Sequence, residues 1–270
     1  MKSTERKIKS FIHGTIPYYV ARVFTPQSAN LPYYKTMKDF GYSRFVFDFR
    51  KEYDDLTVTI REDDGNGMKY VLHKGRKLYF QRDYSPVKID KLYRSLLMEQ
   101  DSRSAHHYLD NPDDVSGKTF LDIGSAEGLT SLEVIDKVNH IYLFERDEKW
   151  IEALEATFAP WKDKVTIIRK YISDRNDDVH QTLDDFFSNK PATNLFFKMD
   201  IEGAERFALK GAESLFENAT NLSFAICTYH LPDDEKIVID FLNRFDCEYI
   251  NQKGFYKRKL RSILIKGVKK

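Results

Sequence analysis

Cysteine is scarce in this 270-residue chain. Cys227 and Cys247 are the only two, too few for a disulfide framework and in keeping with a reducing compartment. An excess of charge of one sign is missing as well: 43 Lys+Arg face 42 Asp+Glu, a formal net charge of +1. That balance argues against a chain held to nucleic acid by its overall field, although local patches are left open. No stretch of about 18 apolar residues occurs, so no membrane-spanning helix is expected. The charged segment Met1–Ser10 leads into no continuous apolar run of the kind a secretory leader requires. Repeats and low-complexity tracts are absent too. What remains is a soluble, cytoplasmic, globular chain. Its 41% hydrophobic and 14% aromatic residues suffice for a packed core, and 31% charged residues keep it in solution.

The pattern changes character near Asn111-Pro-Asp-Asp-Val-Ser-Gly117, which suggests a division into residues 1–115 and 116–270. Before that point, Arg44–Arg50, Leu56–Arg61, Lys69–His73 and Lys77–Gln81 are rich in β-branched and aromatic residues. Asp64-Gly-Asn-Gly67 and Lys74-Gly75 supply turn chemistry, so a small antiparallel meander is expected. An amphipathic helix is expected from Glu5 to about Val20, and helical spacing returns from Ile89 to Leu109. The N-terminal part thus reads as a small β-rich α+β domain that shapes an acceptor site or an interface. Its aromatic residues, from Tyr18 to Phe49, fit a core or a homodimer contact better than a sugar-stacking surface.

After Gly117, short and nearly continuous apolar runs alternate with helical windows. The runs are Thr119–Ile123, His140–Phe144, Lys164–Ile168, Asn194–Met199 and Asn221–Cys227. Strands covered on both faces look like this, and repeated strand–helix units imply a parallel sheet with right-handed crossovers. Cys247–Ile250 and Ser262–Lys266 have no helix between them and should close the sheet as an antiparallel hairpin. The expected fold is a doubly wound, mostly parallel, seven-stranded Rossmann-like α/β sheet.

Ligands of such sheets sit beyond the carboxyl ends of the strands. The first strand runs into Leu121-Asp-Ile-Gly-Ser-Ala-Glu-Gly128, where Gly124 and Gly128 would let the backbone pass close to a ligand and the helix N-terminus would face an anion. The spacing is neither G-x-G-x-x-G nor a G-K-[ST] loop, which disfavours a dinucleotide or a triphosphate. Such a turn also closes many strand–helix junctions that bind nothing. The next strand ends at Glu145, at about the 20-residue spacing from Asp122 at which an acid holds ribose hydroxyls; capping the following helix is the plainer alternative. An adenosine-type ligand bearing one carboxylate points to S-adenosylmethionine.

The fourth strand delivers Lys198-Met-Asp-Ile-Glu-Gly-Ala-Glu205, followed by Leu209-Lys-Gly-Ala212. Together with the glycine turn and Phe144-Glu145, this segment resembles the FkbM family of S-adenosylmethionine-dependent methyltransferases over about residues 119 to 230. The resemblance implies a class I methyltransferase sheet and methyl transfer to a hydroxyl, commonly on sugars or natural products. It implies that Asp122, Gly124, Ser125, Ala126 and Gly128 line the methionine end of the cofactor, that Glu145 and Arg146 flank the ribose and that Ile172 and Ser173 flank the adenine. Asp200 falls at the methyl-transfer end. The fifth strand departs from the pattern, reading Ala225-Ile-Cys-Thr-Tyr-His230 where many members carry an acid, and the first 110 residues match no motif of the family.

Removing the proton of a poorly nucleophilic alcohol calls for a base. His230, expected on the same rim as Asp200 and Glu202, is the first candidate, with helix capping as the alternative. A divalent cation on Asp200, Glu202 and His230 is chemically conceivable, but nothing in the spacing fixes it and no metal is assigned. His106 and His107 precede the first sheet strand, and one of them could reach the site. The acid-free stretch Lys253–Arg261 would join the last two strands as a basic loop, either solvated or facing an anionic acceptor. The expected partner is a small-molecule or glycan acceptor rather than nucleic acid. Other readings are an N-methyltransferase, disfavoured by the missing Asn/Asp-Pro-Pro-aromatic segment, a non-catalytic cofactor-binding or assembly protein, and a nicotinamide dehydrogenase.

Overall fold

The structure, a computed structural model, describes residues 3–269. The chain opens with α1 (Ser3–Ser10), a π-helical turn (Phe11–Thr15) and α2 (Ile16–Phe24), then α3 (Leu31–Phe40) and α4 (Arg50–Asp54). Strands β1 (Ile60–Glu62), β2 (Lys69–His73) and β3 (Arg76–Tyr79) follow, and then α5 (Pro86–Glu99). The alternating part comprises β4 (Thr119–Ile123), α6 (Leu129–Val134), β5 (His140–Phe144), α7 (Glu148–Phe158), β6 (Val165–Ile168), the short pair β7 (Tyr171–Ile172) and β8 (His180–Gln181), α8 (Leu183–Phe187) and β9 (Thr193–Met199). It ends with α9 (Glu205–Lys210), α10 (Glu213–Asn218), β10 (Thr220–Cys227), α11 (Asp234–Arg244), β11 (Glu248–Tyr256) and β12 (Lys259–Lys269).

The seven-stranded sheet has the order β11-β12-β10-β9-β4-β5-β6. Pairings from β6 to β10 are parallel, and β12 runs antiparallel to both β10 and β11. This is the expected doubly wound, mostly parallel seven-stranded sheet with its terminal antiparallel hairpin. Side chains alternate across it. Phe120, Ile141, Leu143, Phe196 and Ala225 enter one core, with α5, α6 and α7 over them, whereas Leu121, Ile123, Leu195, Phe197 and Phe224 enter the other, under α8 to α11. The near-continuous apolar runs follow from that double cover. Side-chain caps set several helix starts: Ser85 accepts from the Lys88 amide, Asp147 from Lys149 and Thr182 from Asp185.

The meander forms as an antiparallel β1-β2-β3 sheet. It is clamped to α6 and α7, since Arg76 Nη1 donates to the Leu132 carbonyl at 2.7 Å and the Tyr79 amide to Thr157 Oγ1 at 3.1 Å. Val71, Leu78, Phe80 and Ile89 join the same core as Phe120 and Ile141.

Several local expectations differ from the structure. Arg44–Arg50 forms no strand: Phe45 makes one isolated bridge to Tyr256, and Phe45, Phe47 and Phe49 stack on one another before the chain turns into α4. The alternation there serves an aromatic cluster, not a ladder. Leu56–Arg61 joins the sheet only at its end, where Ile60 and Arg61 pair with Val71 and Tyr70 and Glu62 continues the strand. The helix expected to Leu109 stops at Glu99, where Asp101 and Ser104 accept from the Arg103 and His106 amides and tie the chain into turns. The terminal hairpin is longer than expected, since β11 and β12 run on through Lys253–Arg261 to a two-residue tip, Lys257-Arg258, with φ of 45° and 73°.

The π turn packs on α3 through Gly14. A Cβ there would lie 2.7 Å from Lys38 N and from Met37 C, both backbone atoms, so only glycine permits the approach. Gly14→Ala should therefore destabilise the chain by about 1–3 kcal/mol. An unchanged urea midpoint would contradict this packing.

Candidate functional site

A cavity of about 730 Å³ opens at the carboxyl ends of β4, β5 and β9. Its walls include Asp122, Gly124, Ser125 and Ala126 from the β4 turn, Glu145 and Arg146 after β5, Ile172 and Ser173 beyond β6, and Asp200 and Glu202 after β9. Two of the residues expected there are elsewhere. Gly128 backs onto Leu154 and Phe158 of α7, and His230 lies behind the wall, against Asp200, Glu202 and Glu205.

The β4 turn is held from beneath. Asp122 is buried; its Oδ2 accepts from Ser131 Oγ at 2.6 Å, and its Oδ1 lies 2.9 Å from Lys198 Nζ. Lys198 also donates to the Gly124 carbonyl at 2.6 Å. Burial disfavours the Lys198 charge, but Asp122 and Asp200 outweigh it and keep the amine above its ordinary range. Asp122 thus braces the turn. Gly124 has φ +81°, and a Cβ on it would fall 2.1 Å from the Asp200 carbonyl, so the turn and the end of β9 touch through bare backbone.

The amides of this turn serve the fold. Gly124 and Ser125 donate to the Phe144 carbonyl, Gly128 to that of Ser125, and Ala126 to Glu145 Oε2 at 3.0 Å. Glu145 Oε1 receives the Arg146 and Asp147 amides at 2.7 and 2.8 Å. Three backbone donors lock this carboxylate at the cavity wall, a stronger placement than helix capping would give it. Glu127 lines the same wall, and burial pushes its pKa up to about 7.

Asp200 centres the second half of the site. Tyr108 donates its hydroxyl to Oδ2 at 2.7 Å, His106 Nε2 is 3.5 Å from the same oxygen, and His230 Nε2 is 3.3 Å from Oδ1. Tyr229 donates over a longer 3.4 Å. Burial alone would raise the Asp200 pKa, but His106, Lys198 and His230 outweigh it and hold the carboxyl well below the usual range. His230 Nδ1 is 2.9 Å from Glu205 Oε1, which also accepts the Ile201 amide at 3.0 Å. Burial opposes the imidazolium, yet Glu205, Asp200 and Glu202 together raise the His230 pKa above its ordinary value. Asp200 and Glu202 do not simply alternate along a strand, because Glu202 follows β9 with φ +56° and reaches solvent. Asp200, Glu205 and His230, hard and borderline donors, offer ligand atoms within 4.8 Å of one another, as do His106, Asp200 and Cys227, a set that adds a soft sulfur.

Sequence reasoning missed Tyr108, Tyr229, Glu99, Glu127 and Glu205 as members of this rim. Of the two adjacent histidines, His106 reaches Asp200 while His107 turns toward Asp110. Glu127 and Glu205 sit inside the two quoted motifs, whereas Glu99, Tyr108 and Tyr229 come from segments that only the fold brings to the rim.

No protein-family model matches the chain, and no curated protein matches it in sequence. Among solved structures it is similar to the methyltransferase FkbM of Methylobacillus flagellatus, with 19% identity, 69% of this chain and 56% of that chain covered, and a TM-score of 0.46. It is also similar to magnesium protoporphyrin IX methyltransferase of Synechocystis, solved with S-adenosylmethionine bound, with 13% identity, 70% and 86% coverage and a TM-score of 0.46. A third is an rRNA methylase of Streptococcus thermophilus, with 11% identity, 58% and 93% coverage and a TM-score of 0.41. The chain spans just over half the length of the Methylobacillus protein. The substrates named for the other two, a porphyrin and ribosomal RNA, select no acceptor here.

The His230 cluster makes stability depend on pH. Its folded-state pKa is raised, so the stabilisation is complete below about pH 6.5, the unfolded value, and is lost as pH rises through the folded value. Glu127, raised to about 7, acts in the same direction over a lower range. The urea midpoint should therefore fall between about pH 6 and pH 9. His230→Gln should flatten the upper part of that descent, and an unchanged slope in the variant would remove His230 as its source.

Proposed function

We propose that the chain is an S-adenosylmethionine-dependent methyltransferase acting on a hydroxyl of a sugar, glycan or glycolipid precursor, with residues 1–115 shaping the acceptor side and 116–270 holding the cofactor. The observation that carries this reading is the pairing, in one cavity, of the backbone-locked Glu145 with the buried Asp200 cluster. The residues present fit the cofactor. The cavity falls within the usual range of about 300–1,000 Å³ for small-molecule sites. Glu145 presents a fixed acid suited to ribose hydroxyls, and Phe144, Tyr171 and Ile172 offer apolar walls to a purine. Gly124, Ser125, Ala126 and Arg146 complete the cofactor side, with Ser173 beside Ile172. When bound, the cofactor supplies an electrophilic methyl group on a sulfonium.

The chain's part is to position the acceptor and remove its proton. Asp200 lines the cavity and is held ionised, so it orients the acceptor hydroxyl as a hydrogen-bond acceptor. His230 stands directly behind it, takes up the proton released when the carbon–oxygen bond forms, and is steadied by Glu205. Glu202, at the cavity edge, adds negative charge that favours the protonated ring. Phe45, Leu96, Gln100 and Tyr108 come from the N-terminal part and face the same space, which supports an acceptor-shaping role for it.

Calorimetry should detect binding of S-adenosylmethionine and of its demethylated product but not of NAD. Glu145→Ala should weaken both by about tenfold or more, the loss of roughly one charge-assisted hydrogen bond or more. Failure of both compounds to bind at millimolar concentration would overturn the reading. In turnover assays with candidate glycan acceptors, a base with a raised pKa predicts kcat/KM rising along a limb above about pH 6.5. His230→Ala should abolish that limb while sparing cofactor affinity.

A further inference from the structure

The N-terminal helices carry an apolar face that the fold does not use. Ile8, Ile12, Ile16, Val20 and Phe24 recur at every fourth position, with Phe11, Tyr19 and Val23 beside them, and all eight are between 46% and 78% exposed. The opposite side of the same helices is the one that packs, through Gly14 and Ala21. In an unbroken α-helix a four-residue spacing drifts by about 40° at each step, so this series would wind around the axis. The wider π turn at Phe11–Thr15 takes back part of that drift and gathers the apolar residues into one stripe. A patch of this size on a folded chain marks an interaction surface.

Charge identifies the occupant. From Arg6 to Lys38 the sequence contains no Asp or Glu, while Arg6, Lys7, Lys9, Arg22, Lys35 and Lys38 fall within it. From Tyr249 to the last residue there is again no acid. The fold brings these two acid-free stretches together: Arg258 Nη1 at the β11–β12 tip is 3.5 Å from His13 Nδ1 on the π turn, and the Tyr33 ring on α3 stacks on Phe255 with centroids 4.8 Å apart. Lys257, Arg258 and Lys259 are all exposed there. We infer that this face binds an anionic lipid bilayer, with α1, the π turn and α2 lying in the interface plane and the hairpin tip against the headgroups. Basic amphipathic helices with aliphatic and aromatic apolar faces bind membranes in this manner. A second copy of the chain fits less well, since a two-fold contact would set the same cations against each other. Five of the eight exposed residues are Ile or Val, which have no π-face on which bases could stack, so the stripe suits acyl chains better than a nucleic acid. The inference is independent of the methyl-transfer reading.

Sedimentation of the full chain with vesicles tests it. The chain should partition onto phosphatidylcholine vesicles containing phosphatidylglycerol, less so in high salt, and not onto phosphatidylcholine alone. Ile12→Glu combined with Ile16→Glu should abolish partitioning, whereas Val87→Glu, at an exposed apolar position on α5, should not change it. Lys257→Gln with Lys259→Gln should weaken it by about fivefold for each cation removed. All the substituted side chains are exposed, so thermal unfolding midpoints should stay at the wild-type value, and they report whether each variant is folded. The proposal is overturned if the wild type does not partition, if neutral vesicles bind it equally, or if folded Ile12→Glu/Ile16→Glu still partitions. It is also overturned if the same variant instead dissolves a dimer, or abolishes RNA binding, in a wild type that ignores vesicles.

Discussion

A single buried cation organises the working edge of this sheet. Lys198 projects from β9 toward β4 and holds both the Asp122 carboxylate and the Gly124 carbonyl. Without it, Asp122 would be an uncompensated charge in the core, a situation that costs on the order of 3–5 kcal/mol when one partner of a buried pair is removed. The turn after β4 would also lose the anchor that fixes its path across the end of β9. Everything the cavity presents on that side, including the Ala126 amide that fixes Glu145, takes its position from this contact.

The same edge shows how one sheet separates two electrostatic environments. Glu145 is stabilised by backbone amides alone, and its charge faces the cavity. Asp200 is stabilised by side chains from three different segments, Tyr108 and His106 upstream, Lys198 beside it and Tyr229 with His230 beyond. A carboxylate held by amides keeps the same donors whatever the side chains around it do. One that shares its surroundings with imidazoles changes its hydrogen-bonding partners as they titrate. One carboxylate is thus fixed by the main chain and the other by a network of side chains.

Much of this was legible in the sequence because its chemistry is local. The glycine turn, Glu145 and the segment from Lys198 to Glu205 each sit where a strand meets a turn, and the near-continuous apolar runs report strands covered on both faces. The rest depends on contacts between distant segments. Tyr108 lies 92 positions from the carboxylate to which it donates, and nothing in its neighbourhood distinguishes it from a core tyrosine. The alternation of Arg44–Arg50 was misleading for a physical reason: a period of two also suits three phenyl rings stacking against each other, and no partner strand was available. The π turn was invisible because its purpose emerges only from the exposed stripe it straightens.

The bare contact between Gly124 and the Asp200 carbonyl has a mechanical consequence. With no side chain between them, neither strand end can shift without displacing the other. Whatever settles the β4 turn therefore also settles Asp200 at the cavity wall, and the reverse must hold to the same extent. Two ligands sharing this cavity would be thermodynamically linked through a few atoms of backbone, with the first to arrive setting the affinity of the second.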